Sequence, residues 1–184
     1  MSADHQEASY RVQLEALIED RLITRSEAPA FTPRTDGSFG FDRVLLVTHR
    51  NLPHQIRQLG VHVKEPRKLD AYLNWIRRQD QSPYLVLTQE GEDQMRGIDN
   101  SRELPLPEQH YNLAEGLALL RSGFVLGRRL VLTGSTFKTH RTDWPDAAFY
   151  ISQYQSGPVL GVTRYPLARD RNAKVPTFVR SEVS

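Results

Sequence analysis

The segment Thr133-Gly-Ser-Thr-Phe-Lys-Thr-His-Arg141 gathers hydroxyls, small residues and three basic side chains in one short run. Exposed amides at Gly134 and Ser135, together with Lys138, His140 and Arg141, would supply the donors and the positive field that a phosphate or carboxylate needs. The Gly-x-x-x-x-Gly-Lys-Ser/Thr pattern is absent. The chain beyond Gly134 reads as loop or strand rather than as the helix whose amino end completes a P-loop. The plainer reading of residues 133–141 is a polar loop connecting strands.

Ser135, His140 and either Asp143 or Asp146 offer the residue types of a hydrolase triad. They crowd into a short stretch, and no Gly-x-Ser-x-Gly elbow presents the serine. No catalytic residue is assigned on that basis. His49, His54 and His62 cluster in sequence, but their spacing matches neither His-Glu-x-x-His nor a finger pattern, and the chain has no cysteine. No metal ligand is assigned. His49 still draws notice, because it ends an apolar strand and strand ends often border clefts. Glu90, Glu92 and Asp93 lack the EF-hand spacing and read as a solvated turn around Gly91.

Charge alternates in blocks. Arg50, Arg57, Lys64, Arg67, Lys68, Arg77 and Arg78 dominate one window, the stretch to Glu115 is acidic, and Arg121, Arg128, Arg129, Lys138 and Arg141 come after it. Blocks of opposite sign ordinarily pair across a fold. The first basic block, with Tyr72 and Trp75 inside it, also has the charge and rings of a weak nucleic-acid surface, although Tyr72 falls on an apolar helical stripe.

The elements that must position these residues are legible from periodicity. Tyr10, Leu14, Leu17, Ile18 and Leu22 share one face of a helix that Ser9 would cap. Residues 26–40 read as a loop or extended arm pinned by Phe31, Phe39 and Phe41. Val44–Val47 has the length and composition of a strand buried on both faces. Asn51 caps a short helix that Gly60 ends, and Pro66 opens a stronger one on Leu69, Tyr72, Leu73 and Ile76.

A second strand runs from Tyr84 to Thr88, before a reversal at Gly91. Asn112-x-x-Glu115 is a capping arrangement for a helix carrying Leu113, Leu117 and Leu120 to Gly123. Strands at 130–133, 147–151 and 159–163 suggest an antiparallel meander, with a further short strand around 176–179. The fold class expected is α+β: a single domain over 1–184, its mixed or mostly antiparallel sheet packed by three to four helices. Residues 1–8 and roughly 165–184 are candidate flexible ends.

Several function classes are excluded by composition. A chain of 184 residues with 39% hydrophobic and 25% charged content has enough apolar surface to build a core, and it is not the composition of a disordered protein. Without cysteine, disulfides and thiolate chemistry are out. A net charge of +2 does not by itself indicate a nucleic-acid binder. The polar start of the chain and the absence of a long apolar run point to a cytoplasmic location with no membrane partner.

Pro83-Tyr84-Leu85, Glu115-Gly116-Leu117-Ala118-Leu119-Leu120, Gly134-Ser135, Ala148–Ile151 and Pro158-Val159-Leu160-Gly161, in that order, resemble the domain of unknown function 5701 family. The likeness covers roughly the C-terminal half. It implies a bacterial, chiefly actinobacterial, setting and a similar order of elements. The family carries no established activity, and no cofactor is expected for this chain.

The resulting expectation is a noncatalytic binding or accessory, regulatory protein whose partner is another protein, with a homodimer through exposed strand edges as one form. One alternative is a domain or enzyme that takes an anionic small molecule on Gly134, Ser135, Lys138, His140 and Arg141. A second is weak nucleic-acid binding through Arg50, Arg57, Lys64, Arg67 and Arg78.

Overall fold

The computed structural model describes residues 3–33, 43–76, 82–88, 95–97, 111–123, 129–141, 144–165 and 173–176. In chain order these form α1 (Ala3–Glu19), a 3-10 turn (Arg25–Glu27), β1 (Arg43–Val47), α2 (Leu52–Gln58), β2 (His62–Val63) and α3 (Pro66–Ile76). Then come β3 (Tyr84–Thr88), β4 (Met95–Gly97), α4 (Leu113–Arg121), β5 (Arg129–Arg141), β6 (Trp144–Tyr154), β7 (Gly157–Tyr165) and β8 (Ala173–Pro176). The fold is α+β, as the sequence patterns indicate.

The strands divide into two sheets rather than one. Among the described residues, β1 and β3 pair antiparallel as a two-stranded sheet, while the others form a six-stranded sheet in the order β2-β7-β6-β5-β8-β4. The β5-β6-β7 meander is antiparallel, and β2 and β8 join it in parallel to β7 and β5. A short strand lies at Ala173–Pro176, and residues 177–179 of the strand expected around 176–179 lie outside the described residues.

The small sheet is apolar on both faces because it separates two cores. Leu45 and Val47 of β1 and Val86 of β3 join the larger core with α2, α3, α4 and the meander. Val44, Leu46 and Leu85 pack instead against Leu14, Leu17, Leu22 and Ile23 of α1 and its exit. Period-two alternation sends successive side chains to opposite layers, which is why β1 needs four consecutive apolar residues.

α1 begins at Ala3, so Ser9 lies within it rather than at its cap, and Ser9 accepts from the Gln13 side chain instead. Gln13 has the larger role. Its amide accepts from Leu46 N (3.0 Å) and donates to Val44 O (2.8 Å), completing the outward-facing groups of β1 as a neighbouring strand would. Phe31 stacks on Tyr10, with ring centroids 5.1 Å apart, whereas Phe39, Phe41 and the reversal at Gly91 lie outside the described residues.

Candidate functional site

The polar side chains that the fold brings together lie around the amino end of α4. Asn112 accepts from Glu115 N (3.0 Å), and Glu115 Oε2 accepts from Asn112 N (2.7 Å), which is the reciprocal cap the sequence indicates. Glu115 has a second use. Its Oε1 accepts from the Tyr84 hydroxyl at 3.0 Å, and the same hydroxyl oxygen accepts from Asn112 Nδ2 at 2.9 Å.

His49, just beyond β1, places Nε2 3.4 Å from that hydroxyl oxygen, its ring stacked against Tyr84 with centroids 5.9 Å apart. The bonding pattern is determined by donor counting. Asn112 Oδ1 is the acceptor from an amide, so Nδ2 faces Tyr84; the hydroxyl's one hydrogen goes to Glu115, so a bond from His49 requires the proton on Nε2. Carboxylate, phenol and imidazole thus stand in series. That order is chemically suited to proton transfer, but here Glu115 is only 2% exposed and its oxygens hold β3 to the first turn of α4.

Ser135 completes the same helix end from the opposite side. β5 and β6 are in register at Leu132↔Phe149 and again at Thr136↔Ala148, so Thr133, Gly134 and Ser135 bulge out of the ladder. The bulge reaches the chain entering α4: Gly134 N donates to Tyr111 O at 2.8 Å, and Ser135 Oγ accepts from Leu113 N at 2.7 Å. Ser135 Oγ also lies 2.7 Å from the Tyr72 hydroxyl of α3, whose ring meets Phe149 edge-on at 5.2 Å. Burial raises the Tyr72 hydroxyl pKa to about 12, an effect the Ser135 bond only partly offsets.

Residues 133–141 are therefore part of a strand, not a loop between strands. Of the five candidate anion-binding residues, Gly134 spends its amide on Tyr111, and Ser135, 1% exposed, spends its hydroxyl on Leu113 and Tyr72. Lys138, His140 and Arg141 are placed by backbone on β5, with Lys138 opposite Asp146 and Arg141 opposite Trp144 in register, and their side chains lie outside the described residues. Asp143 also lies outside them.

The described residues of the basic block differ in their surroundings. Arg50 forms a half-exposed ion pair with Glu27 at 2.6 Å, which together with bonds from Thr24 lowers the Glu27 carboxyl pKa to about 2. Arg121, at the end of α4, donates to Gln55 Oε1 at 2.7 Å, and Gln55 in turn donates to Thr48 O and Arg50 O. Lys64 places its ammonium 5.3 Å from the centroid of Tyr154, while Arg57 and Arg67 are exposed. Arg77 and Arg78 lie outside the described residues.

The histidines also part company. His54 Nε2 is 3.7 Å from Asp20 Oδ1, His62 is exposed on β2, and His49 faces Tyr84. Among the described residues, no group of three or more His, Asp or Glu side chains is placed to hold a metal ion, and no helix is long and apolar enough to cross a membrane.

Compared with protein families, with curated proteins and with solved structures, the chain matches none. Functional inference therefore rests on the geometry of these residues.

Periodicity and motif spacing do not reveal Tyr84, Tyr72 and their joint hold on α4. The available signal is position: Tyr84 opens an otherwise apolar strand, and Tyr72 puts a hydroxyl on an apolar helical stripe. A buried tyrosine hydroxyl ordinarily finds a polar partner.

Proposed function

We propose that the protein is a noncatalytic binding or accessory protein. The observation that carries this reading is the use to which Ser135 is put. A nucleophilic serine needs an adjacent base and an open approach; Ser135 is buried, with a tyrosine hydroxyl and a backbone amide as its neighbours. Glu115 is spent in the same way, its two oxygens occupied by Tyr84 and Asn112. These polar residues thus serve stability, and recognition is left to the surface.

A bacterial setting and kinship with the domain of unknown function 5701 family belong to this proposal and rest on the sequence segments from Pro83 to Gly161, while a cytoplasmic location rests on the polar start of the chain and the lack of a long apolar run. Neither adds an activity. The test is an assay of the purified chain against esterase, phosphatase and amidase substrates, beside its Ser135→Ala and Glu115→Gln variants. Both variants are expected to lower the melting temperature without altering a background rate. Turnover by the parent that vanishes in either variant, at a temperature where that variant is folded, overturns the proposal.

A further inference from the structure

The outer face of the six-stranded sheet, turned away from the larger core, carries a row of cations and phenol rings. Alternation fixes its members: Leu130, Leu132, Phe149, Ile151 and Leu160 face the core, so Arg129, Tyr150, Tyr154, His62 and Lys64 belong to the other side. Arg129 sets its guanidinium carbon 4.5 Å from the centroid of Tyr150. The Tyr150 ring lies flat across Gly161 of β7, where an added Cβ would come within 2.5 Å of its hydroxyl oxygen. Lys64 is next in the row, with its ammonium over the Tyr154 ring.

The row is closed at one end and open at the other. Tyr150 is covered by Arg129 above and the β7 backbone beneath, whereas Tyr154 remains 47% exposed and is one of two large exposed apolar or aromatic side chains among the described residues. Lys64 is exposed beside it, His62 is exposed two residues before Lys64 on the same edge, and Gln155 and Ser156 of the turn between β6 and β7 are exposed as well. From Ala148 to Tyr154, along β2 and over 157–163 of β7, no described outer-face side chain is a carboxylate.

We infer that this corner is a binding site for single-stranded nucleic acid, in which a base stacks on Tyr154 and the adjoining phosphate lies against Lys64 and His62. The inference names a partner for the noncatalytic binding reading and rests on it. An exposed ring beside an exposed ammonium suits a base and its phosphate together, since every base offers a π-face and every link carries one negative charge. Duplex nucleic acid is disfavoured, because its bases are already stacked and offer no face to Tyr154.

The test is fluorescence anisotropy of the full chain with labelled oligouridylate and oligothymidylate of about 12 nucleotides, long enough to span one site. Both should bind, and about tenfold weaker binding is expected in Tyr154→Ala. Tyr154→Phe should retain affinity, because stacking does not need the hydroxyl. Lys64→Ala should weaken binding and reduce the slope of log affinity against log salt by about one phosphate contact. Preference for one oligonucleotide would identify RNA or DNA as the source.

Absence of binding to both strands, or binding unchanged in Tyr154→Ala and Lys64→Ala, overturns the inference. So does equal binding to a duplex of the same length. Far-ultraviolet circular dichroism melts of each variant separate loss of the site from loss of the fold. Failure here leaves the noncatalytic reading standing, since only turnover contradicts that one.

Discussion

Ser135 Oγ stands 2.7 Å from the backbone nitrogen of Leu113, so a hydroxyl from strand β5 satisfies the first amide of helix α4. Helices begin with amides that have no partner within the helix, and burying one unpaired costs free energy. α4 satisfies these amides from two sources. Asn112 serves its third residue from within the local sequence, and Ser135 serves its first from across the core.

Ser135→Ala should therefore destabilise the fold by about 2 kcal/mol, because it leaves the Leu113 N–H buried without its acceptor and removes the Ser135–Tyr72 hydrogen bond. Chemical denaturation checks it. The double variant Ser135→Ala with Tyr72→Phe should cost less than the sum of the two single changes, the sign of direct coupling.

Gln13→Leu should cost about 2–4 kcal/mol despite filling an apolar layer. Leu46 N and Val44 O would remain buried with nothing to complete them. Hydrogen exchange at Leu46 gives the sharper readout, since its amide should lose protection more than its β1 neighbours do.

Gly161→Ala should destabilise by roughly 1–3 kcal/mol, since the new methyl meets the rigid ring of Tyr150 rather than a flexible chain end. The ring must lift, which also disturbs its stack with Arg129. A melt of the variant tests the first consequence, and a changed near-ultraviolet tyrosine signal tests the second.

On the acid side, the Glu27 carboxyl pKa is lowered to about 2, first by the Arg50 bond and then by Thr24. A depressed carboxyl contributes stability above its unfolded pKa and loses it as pH falls through the folded one. The melting-temperature gap between the parent and Glu27→Gln should thus be fully open near neutrality and close between about pH 4.5 and 2. A gap that stays constant across that range would contradict the assigned cause.

On the alkaline side, burial raises the Tyr72 pKa to about 12. The folded chain then holds a proton that the unfolded chain releases near pH 10, so stability is lost as pH rises from there towards 12. Absorbance titration should show a late-ionising tyrosine in the folded parent that is missing in Tyr72→Phe.

Where a structural decision depends on neighbours in sequence, the residues alone are sufficient. Pro66 with Leu69, Tyr72, Leu73 and Ile76 specifies α3; Asn112 and Glu115 specify the start of α4; Val44–Val47 specifies a strand with two buried faces. Helix periodicity, capping and strand alternation act over a few residues, and so they are written locally.

What the residues alone leave open is which distant groups meet. Gly134-Ser135 in isolation suits an anion-binding turn, and only the bulge against β6 turns its amide to Tyr111 and its hydroxyl to Leu113. Lys64 and Tyr154 lie far apart in the chain and become neighbours because β2 joins β7 in parallel beside β6. Strand pairing between distant segments is settled by burying the whole core at once, a property of the tertiary structure that no short window of sequence contains.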